Sequence, residues 1–181
     1  RMLALVGAGH LIGMLPAMAS PPDSAHLEML DQKPPPSRVG LFIGWGICVF
    51  ILAMFGVGFY QSPELGEQLV ITWVLFNGGF CALGTLIALG HPVSIIAAFF
   101  AAPLTSLNPT IGAGMVVGLV ESYMQKPKVS DFETLRDDIA VYSMWWKNRV
   151  ARLFLIFFFS SLGSMIGTYT AGASIVTQIL S

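Results

Sequence analysis

The chain has 181 residues, of which 55% are hydrophobic and only 10% are charged. Because soluble domains carry about 25% charged residues, this composition excludes an ordinary soluble globular protein. Nine Lys and Arg residues against ten Asp and Glu residues give a net charge of −1, so nothing in the charge balance indicates a nucleic-acid partner.

Three long stretches of the chain carry no charged side chain: residues 39–63, 68–120 and 153–181. About 20 apolar residues are needed for one helix to cross the hydrocarbon core of a bilayer. These stretches therefore predict an all-α integral membrane protein with about three full transmembrane helices, and the lipid bilayer is its first expected partner.

The first residues differ from the apolar stretches. Residues 1–6 are too short for the apolar region and cleavage site of a signal peptide, and they are typical of a buried strand that runs into the turn 7–10. We therefore expect residues 1–15 to be the C-terminal end of a soluble domain in a longer protein. His10 ends this turn, and its role is either structural or metal-binding. Neither His26 nor His91 stands at metal-ligand spacing from His10.

Residues 16–38 are predicted to be a Pro-rich linker. Two prolines precede a short helical stretch, 23–32, and three consecutive prolines, 34–36, follow it. A run of three prolines cannot continue a helix and is extended and stiff. The linker delivers the chain to the helical membrane domain, residues 39–181.

The first two apolar stretches predict two transmembrane helices, at 39–60 and 68–90, joined by a tight turn at 61–67. So short a connection makes the two helices an antiparallel hairpin. The second helix contains one strongly polar residue, Asn77. An interhelical hydrogen bond is its expected role, and ligand binding is the alternative.

The third apolar region, 91–124, is broken near its middle by Pro103, Pro109 and the polar residues between them. Each half has about 12–16 residues, or roughly 18–24 Å of helix, which is too short to span a membrane. Two interpretations remain open. The region is either one span with an unwound centre or a re-entrant helical hairpin that enters and leaves by the same face.

The distribution of basic residues favours the re-entrant hairpin. Lys33 and Arg38 lie in the linker, and the first turn contains no Lys or Arg. Six of the nine basic residues follow the broken region, between 126 and 152. With a re-entrant hairpin all nine lie on the cytoplasmic side, as the positive-inside rule requires, whereas a broken span would place those six outside.

The segment 125–149 is predicted to be cytoplasmic and to contain an amphipathic helix that begins at Asp131. Five side chains share one face of that helix: Phe132, Leu135, Ile139, Tyr142 and Trp146. A helix at the membrane interface and a helix packed against the soluble domain both fit this pattern. A last transmembrane helix starts near Val150 and extends as far as Leu180.

The break in the third region concentrates polar side chains inside the membrane domain. Asn108 precedes Pro109 and suits the N-cap of a second half-helix. The positive dipole end of that half-helix would face a polar pocket formed by Asn108, Thr105 and Ser106, as in channels and transporters. Alternatively, these side chains only satisfy backbone groups that the prolines leave unpaired. Glu121 is expected near the cytoplasmic interface, because a carboxylate deep in the membrane needs a partner.

Three pairs of glycines are spaced by four residues, which lets two helices approach closely. They are Gly40 with Gly44, Gly114 with Gly118, and Gly163 with Gly167. Packing within the domain is the default use of such pairs, and homo-oligomerisation is the alternative.

Several of these motifs resemble one known family. Residues 7–14, GAGHLIGM, resemble the second G-x-x-H motif at the end of the TraB domain, the family of the pheromone-shutdown proteins. Residues 101–110, 112–114, 118–121 and 126–133 resemble the membrane half of prokaryotic TraB proteins. The resemblance covers most of the chain and is more specific in the membrane part.

The resemblance implies a soluble TraB domain before residue 1, related to metal-dependent proteases that use two G-x-x-H motifs and a glutamate. His10 would be the one metal ligand in this chain, and no catalytic residue is expected here. A divalent metal and a peptide substrate are expected only in the longer protein, at a prokaryotic cell membrane.

Two hypotheses for the function of the membrane domain follow. The leading one is a domain that anchors, and also oligomerises, a TraB-type peptidase domain at the membrane. The rival is a channel- or transporter-like domain built on the broken segment around Asn108. A purely structural oligomerisation module is the third interpretation.

Overall fold

A computed structural model describes residues 13–14, 39–108 and 110–180, without the side chain of Leu41. The chain divides into two units, Arg1–Ser37 and Arg38–Ser181. Gly13 and Met14, which are helical, are the described residues of the first unit. The rest of the predicted soluble end 1–15, with His10, and the whole of the predicted linker 16–38 lie outside the described residues.

Three helices in the described part of the chain are long and apolar enough to cross a membrane. They are α1 (Val39–Gln61), α2 (Pro63–Ile87) and α7 (Arg149–Leu180). Between α2 and α7 lie α3 (Pro92–Thr105), α4 (Ala113–Gln125) and two short helices, α5 (Val129–Glu133) and α6 (Leu135–Ile139). No strand occurs among the described residues, so the all-α prediction with three helices of spanning length is confirmed.

The connection between α1 and α2 is shorter than the predicted turn 61–67. Ser62 alone separates the two helices, and its Oγ accepts a hydrogen bond from the backbone N–H of Leu65 at 3.1 Å. Pro63 occupies the first turn, where its missing N–H costs nothing, and Glu64 lies at the positive end of the helix dipole. Because serine, proline and glutamate together start a helix, α2 begins at Pro63 rather than at Gln68.

The third apolar region forms two short helices, α3 and α4, of 14 and 13 residues. At about 1.5 Å per residue each is roughly 20 Å long, so neither is long enough to cross a bilayer, as predicted. The start of α3 lies beside the end of α4, because the backbone N–H of His91 donates to Oε2 of Glu121 at 2.9 Å. The opposite end of the α3–α4 pair is its tip (residues 106–108 and 110–112), which reaches Asn77 in α2.

Pro103 lies inside the last turn of α3 and does not end the helix. Because proline has no N–H, the carbonyl of Phe99, four residues earlier, loses its helical partner. That carbonyl lies against Gly78 of α2, where a Cβ atom would come within 2.4 Å of the oxygen, so the close approach requires glycine. Nε1 of Trp73 donates to the carbonyl of Pro103 at 3.1 Å. α2 therefore supports the proline-containing end of α3 at two places.

The most extensive helix contact joins α2 and α7. Glycines bring the two backbones together: a Cβ on Gly84 would meet the carbonyl oxygen of Phe159 at 2.1 Å, and one on Gly163 would meet that of Phe80 at 2.2 Å. Two clusters of buried apolar side chains lie around this contact, one with Cys81 and Ile156 and the other with Leu69 and Ile175. By contrast, most large apolar side chains of α1 are exposed.

The segment between α4 and α7 is not the single helix that the sequence predicts from Asp131. It consists of α5, α6 and a 3₁₀ turn at Tyr142–Met144. The helix is interrupted at Thr134 because the side-chain amide of Asn148 donates to the carbonyl of Asp131 at 2.8 Å. That carbonyl would otherwise accept the N–H of Leu135 and continue the helix. The predicted apolar face is therefore divided between two short helices and the turn.

Asn148 also caps the start of α7. Its Oδ1 accepts the backbone N–H groups of Val150 and Ala151 at 2.9 and 3.1 Å, the arrangement of a helix N-cap. Its Nδ2 donates to Oδ2 of Asp138 at 2.7 Å. This bond, together with one from the Thr134 hydroxyl, holds the pKa of Asp138 below its usual value. One side chain thus joins the loop to the last helix.

Candidate functional site: the polar centre of the bundle

Four polar side chains meet where α2, α7 and the tip of the α3–α4 pair come together. Oδ1 of Asn77 accepts hydrogen bonds from the hydroxyls of Ser106 and Ser164, both at 3.0 Å, and the two hydroxyl oxygens are also 3.0 Å apart. Nδ2 of Asn77 donates to Oγ1 of Thr168 at 2.9 Å. We call these four residues the polar centre.

Asn77 of α2 is hydrogen-bonded to each of the other three residues of the polar centre and is completely buried. An amide in an apolar interior costs several kcal/mol unless it has hydrogen-bond partners, and here both its oxygen and its nitrogen have them. Interhelical bonds of this kind each contribute on the order of 1 kcal/mol. The geometry therefore gives Asn77 the interhelical role expected from the sequence, with Ser106 as the predicted pocket residue that it contacts.

A cavity of about 780 Å³ opens beside the polar centre. Ser106, Ser164 and Thr168 line it on one side, and the other walls are mostly apolar side chains of α1 and α7. The predicted pocket residues Thr105 and Asn108 line it as well. The cavity therefore offers hydroxyl groups and apolar surface to the same occupant.

The tip of the α3–α4 pair corrects the prediction for Asn108. α4 begins at Ala113, and its N-cap is Gly112 rather than Asn108. Oδ1 of Asn108 instead accepts the N–H and the hydroxyl of Thr110 at 3.0 and 2.5 Å. Such a local turn competes with helix capping, because an asparagine reaches the backbone two residues further on more easily than a distant helix end. The start of α4 has no side-chain cap.

Glu121 lies at the end of the α3–α4 pair opposite to the polar centre, and it is only 1% exposed. Its Oε2 accepts the N–H of His91, at the start of α3, where the helix dipole favours a carboxylate. Its Oε1 and the hydroxyl of buried Ser94 have no partner among the described residues. Glu121 thus lies at the end of the pair that leads into the charged loop, where it is enclosed by protein.

The six predicted packing glycines are used unequally. Three of them pack within the domain, because a Cβ would come within 3.0 Å of a neighbouring helix: Gly114, Gly163 and Gly167. On Gly114, for example, it would meet Oγ of Ser161 at 2.2 Å. Gly40 and Gly118 have open space around them, and Gly44 lines the cavity.

Two residues of the polar centre were not predicted from the sequence: Ser164 and Thr168, both contributed by α7. Together with Ser160 they stand at intervals of four along an apolar helix, so all three share one face. That spacing is the signal that could have revealed them. It does not indicate which helix the face contacts.

The described part of the chain contains no group of three or more His, Cys, Asp or Glu side chains that could hold a metal ion. Cys48 and Cys81 are buried free thiols. The polar centre is built only from hydroxyl and amide groups, which are neutral.

Comparison with known proteins decides the family of the chain. Residues 39–180 match the C-terminal domain of TraB family proteins. The chain belongs to the TraB family. This TraB-family chain is 28% identical over 176 residues to an uncharacterized protein of Methanocaldococcus jannaschii. The match covers 93% of the chain but 44% of that relative, so the chain spans less than half of the relative's length. No solved structure matches it.

Proposed function

We propose that residues 39–180 anchor a TraB-family protein in the membrane and hold the rest of that protein at one membrane face. The observation that carries the proposal is the outward surface of α1, where the large apolar side chains of Phe42, Ile43 and Phe50 are exposed. A continuous apolar surface on a helix of spanning length is stable against lipid and unfavourable in water.

The anchored part is proposed to be a TraB-type domain that ends at residues 1–15 and continues through the linker 16–38. In this proposal it is a metal-dependent peptidase of a prokaryotic cell, acting on peptides near the membrane, and His10 is the metal ligand that this chain contributes. A divalent metal would activate water for the hydrolysis. Homo-oligomerisation of the membrane domain would bring several such domains together.

The α3–α4 pair is proposed to be re-entrant from the cytoplasmic face. Two contacts support this topology. His91 and Glu121 join the two outer ends of the pair, whereas Ser106 at its tip bonds Asn77 and Ser164 within the long helices α2 and α7. The linker and the segment 125–149 then lie on the cytoplasmic side, together with all the basic residues, in agreement with the positive-inside rule.

A second candidate function is the binding or passage of a small polar solute at the polar centre. The cavity favours it, because the hydroxyls of the polar centre and the polar side chains of Thr105, Asn108 and Ser161 line it together with apolar residues. The start of α4, at Gly112 and Ala113, lines the same cavity and has no side-chain cap among the described residues. Half-helix ends and irregular backbone of this kind line the solute sites of transporters.

A truncation tests the anchor. Residues 39–181 fused behind a soluble fluorescent protein should keep the fluorescence in the membrane fraction after an alkaline carbonate wash. The fluorescent protein fused to residues 16–38 alone serves as the matched control and should be released. Recovery of the fusion that carries residues 39–181 in the supernatant would contradict anchoring.

Flux measurements test the second candidate separately. Proteoliposomes are mixed rapidly with glycerol, urea or sucrose, and light scattering follows the change in vesicle volume. A pure anchor predicts rates equal to those of empty vesicles. A solute pathway predicts a faster rate that Ser106→Ala and Asn108→Ala change. Thr170→Ala removes a hydroxyl of α7 that does not line the cavity and should leave this rate intact.

A further inference from the structure

A smaller cavity of about 250 Å³ lies at the end of the bundle where α4 ends and α7 begins. Five residues line this basic pocket: His91, Met124, Gln125, Lys126 and Arg149. We propose that the basic pocket binds the phosphate of an anionic phospholipid headgroup. The proposal requires a surrounding bilayer, but it is independent of the polar centre and of any peptidase activity.

The cationic side chains of the basic pocket are available to an anion. Arg149 uses Nη1 to bond the carbonyls of Gln125 and Lys126, both at 3.2 Å, which fixes the guanidinium and leaves Nε and Nη2 without a protein partner in the described part of the chain. The ammonium of Lys126 lies 5.9 Å from the centroid of the Tyr123 ring and has no carboxylate partner there. A guanidinium with free N–H groups binds phosphate oxygens directly, and a nearby ammonium adds a second positive charge.

The surrounding charges leave the basic pocket positive. Glu121 bonds the backbone N–H of His91, is buried, and does not line the cavity. Arg152 places a further positive charge next to the cavity. Its Nη2 donates to Oε1 of Gln125, which lines the cavity. Lys126 and Arg149 thus line the cavity, Arg152 contacts its lining through Gln125, and no carboxylate is among the described residues that line it.

Neighbouring aromatic and apolar side chains favour a lipid as the source of the phosphate. Nε1 of Trp146 donates to the carbonyl of Ile87 at the end of α2, and the ring of Tyr142 lies 5.2 Å from that of Trp146. Tryptophan and tyrosine are enriched at the depth of the lipid headgroups. Leu89 and Met124 are exposed at the same end of the bundle, where acyl chains below a bound headgroup would run. Basic pockets between membrane helices bind anionic headgroups in this way.

Thermal unfolding of the detergent-purified chain with added lipid tests the proposal. We expect phosphatidylglycerol to raise Tm more than phosphatidylcholine does at the same concentration. Lys126→Gln and Arg149→Gln should each weaken the apparent affinity for phosphatidylglycerol about fivefold, the effect of one basic residue near an anionic headgroup. Lys128→Gln is the matched control, since it removes the same charge from a residue that does not line the pocket.

Three outcomes would overturn the proposal. Equal stabilisation by phosphatidylcholine would remove the requirement for an anionic headgroup. Equal stabilisation by inorganic phosphate would assign the pocket to soluble phosphate instead of lipid. An equal loss of affinity in Lys128→Gln would mean that diffuse surface charge, and not the basic pocket, attracts the lipid. If Arg149→Gln lowers Tm without lipid, the Lys126→Gln variant is the decisive one, because the Lys126 side chain makes no hydrogen bond with the described residues.

Discussion

At the scale of single residues, two asparagines hold distant parts of the chain together. Asn77 joins α2 to α7 and to the tip of the α3–α4 pair inside the bundle, and Asn148 joins α5 and α6 to the start of α7 outside it. An asparagine is suited to both places because its amide donates and accepts at the same time without carrying a charge. Their partners can therefore be tested one at a time.

Thr168 provides the sharpest test of the bond to Asn77. Thr168→Val keeps the shape of the side chain but removes the oxygen that accepts from Nδ2 of Asn77, so we expect a loss of about 0.6–1.7 kcal/mol in the free energy of unfolding. Thr170→Val is the control, because among the described residues the hydroxyl of Thr170 bonds only carbonyls of its own helix. Unfolding in mixed detergent micelles measures both variants, and equal losses would contradict an interhelical role.

Asp138 makes the stability of the loop depend on pH. Hydrogen bonds from Asn148 and then Thr134 lower its pKa from the usual 3.8. Since the folded-state pKa is depressed, the stabilisation is fully present above the unfolded-state pKa and is lost as pH falls through the folded-state pKa. The difference in Tm between the wild-type chain and Asp138→Asn should therefore be constant above about pH 5 and shrink below about pH 4. Asp137→Asn removes the same charge from the neighbouring residue and is the control for net charge. If the Tm difference of that variant decreased equally at low pH, the pH dependence would not belong to Asp138.

At the scale of elements, close backbone contacts explain why α3 and α4 hold their places although each is too short to span a bilayer. The carbonyl oxygen of Phe99, which loses its helical hydrogen bond because of Pro103, lies directly against Gly78 of α2. Gly114 lets α4 lie directly on α7, next to Ser161. Dispersion and close packing drive helix association inside a membrane, where water provides no hydrophobic force. Small residues at these crossings are therefore requirements of the packing.

The two glycines of α4 should respond in opposite ways to alanine. Gly114→Ala places a Cβ within 2.4 Å of the carbonyl oxygen of Phe157, so we expect a destabilisation of about 1–3 kcal/mol. Gly118→Ala meets nothing within 4 Å and should be neutral or stabilising by up to about 1 kcal/mol, because alanine favours the helix. Equilibrium unfolding compares the two. A similar loss in both would show that the contact of α4 with α7 does not depend on Gly114.

At the scale of the whole molecule, the fold consists of a tight centre and a loosely attached helix. α2, α7 and the α3–α4 pair pack closely, whereas α1 contacts mainly α2 and leaves the cavity between itself and α7. The proposed topology places the start of α2 and the segment after α4 on opposite membrane faces.

Labelling with a membrane-impermeant maleimide tests the topology. In a Cys48→Ala, Cys81→Ala background, single cysteines replace Glu64 near the start of α2 and Ser130 in α5, both of which are exposed. A re-entrant α3–α4 pair predicts that sealed vesicles of one orientation label one of them and inverted vesicles the other. Detergent-permeabilised vesicles, in which both should react, provide the control. Labelling of both from the same side would mean that the pair crosses the membrane.

The class of the protein and the lengths of its apolar elements could be predicted from the amino-acid sequence alone. Charge-free stretches of about 20 residues or more indicate membrane helices, because a helix of that length crosses the bilayer and pairs its backbone groups within the segment. Pro103 and the polar residues after it were sufficient to predict two short helices in the third region. The family was also predictable, since its motifs are local runs of residues.

Which polar groups meet became clear from the packing of the helices and could not be predicted from the sequence. Asn108 was the conspicuous candidate, but it is satisfied locally by Thr110, whereas the less conspicuous Ser164 and Thr168 complete the polar centre. In the same way Asn148, far along the chain from Asp131, interrupts the predicted helix of the loop. Periodicity shows which residues share a face of one helix. The partner across that face is set by packing between segments that are distant in sequence, which no local pattern encodes.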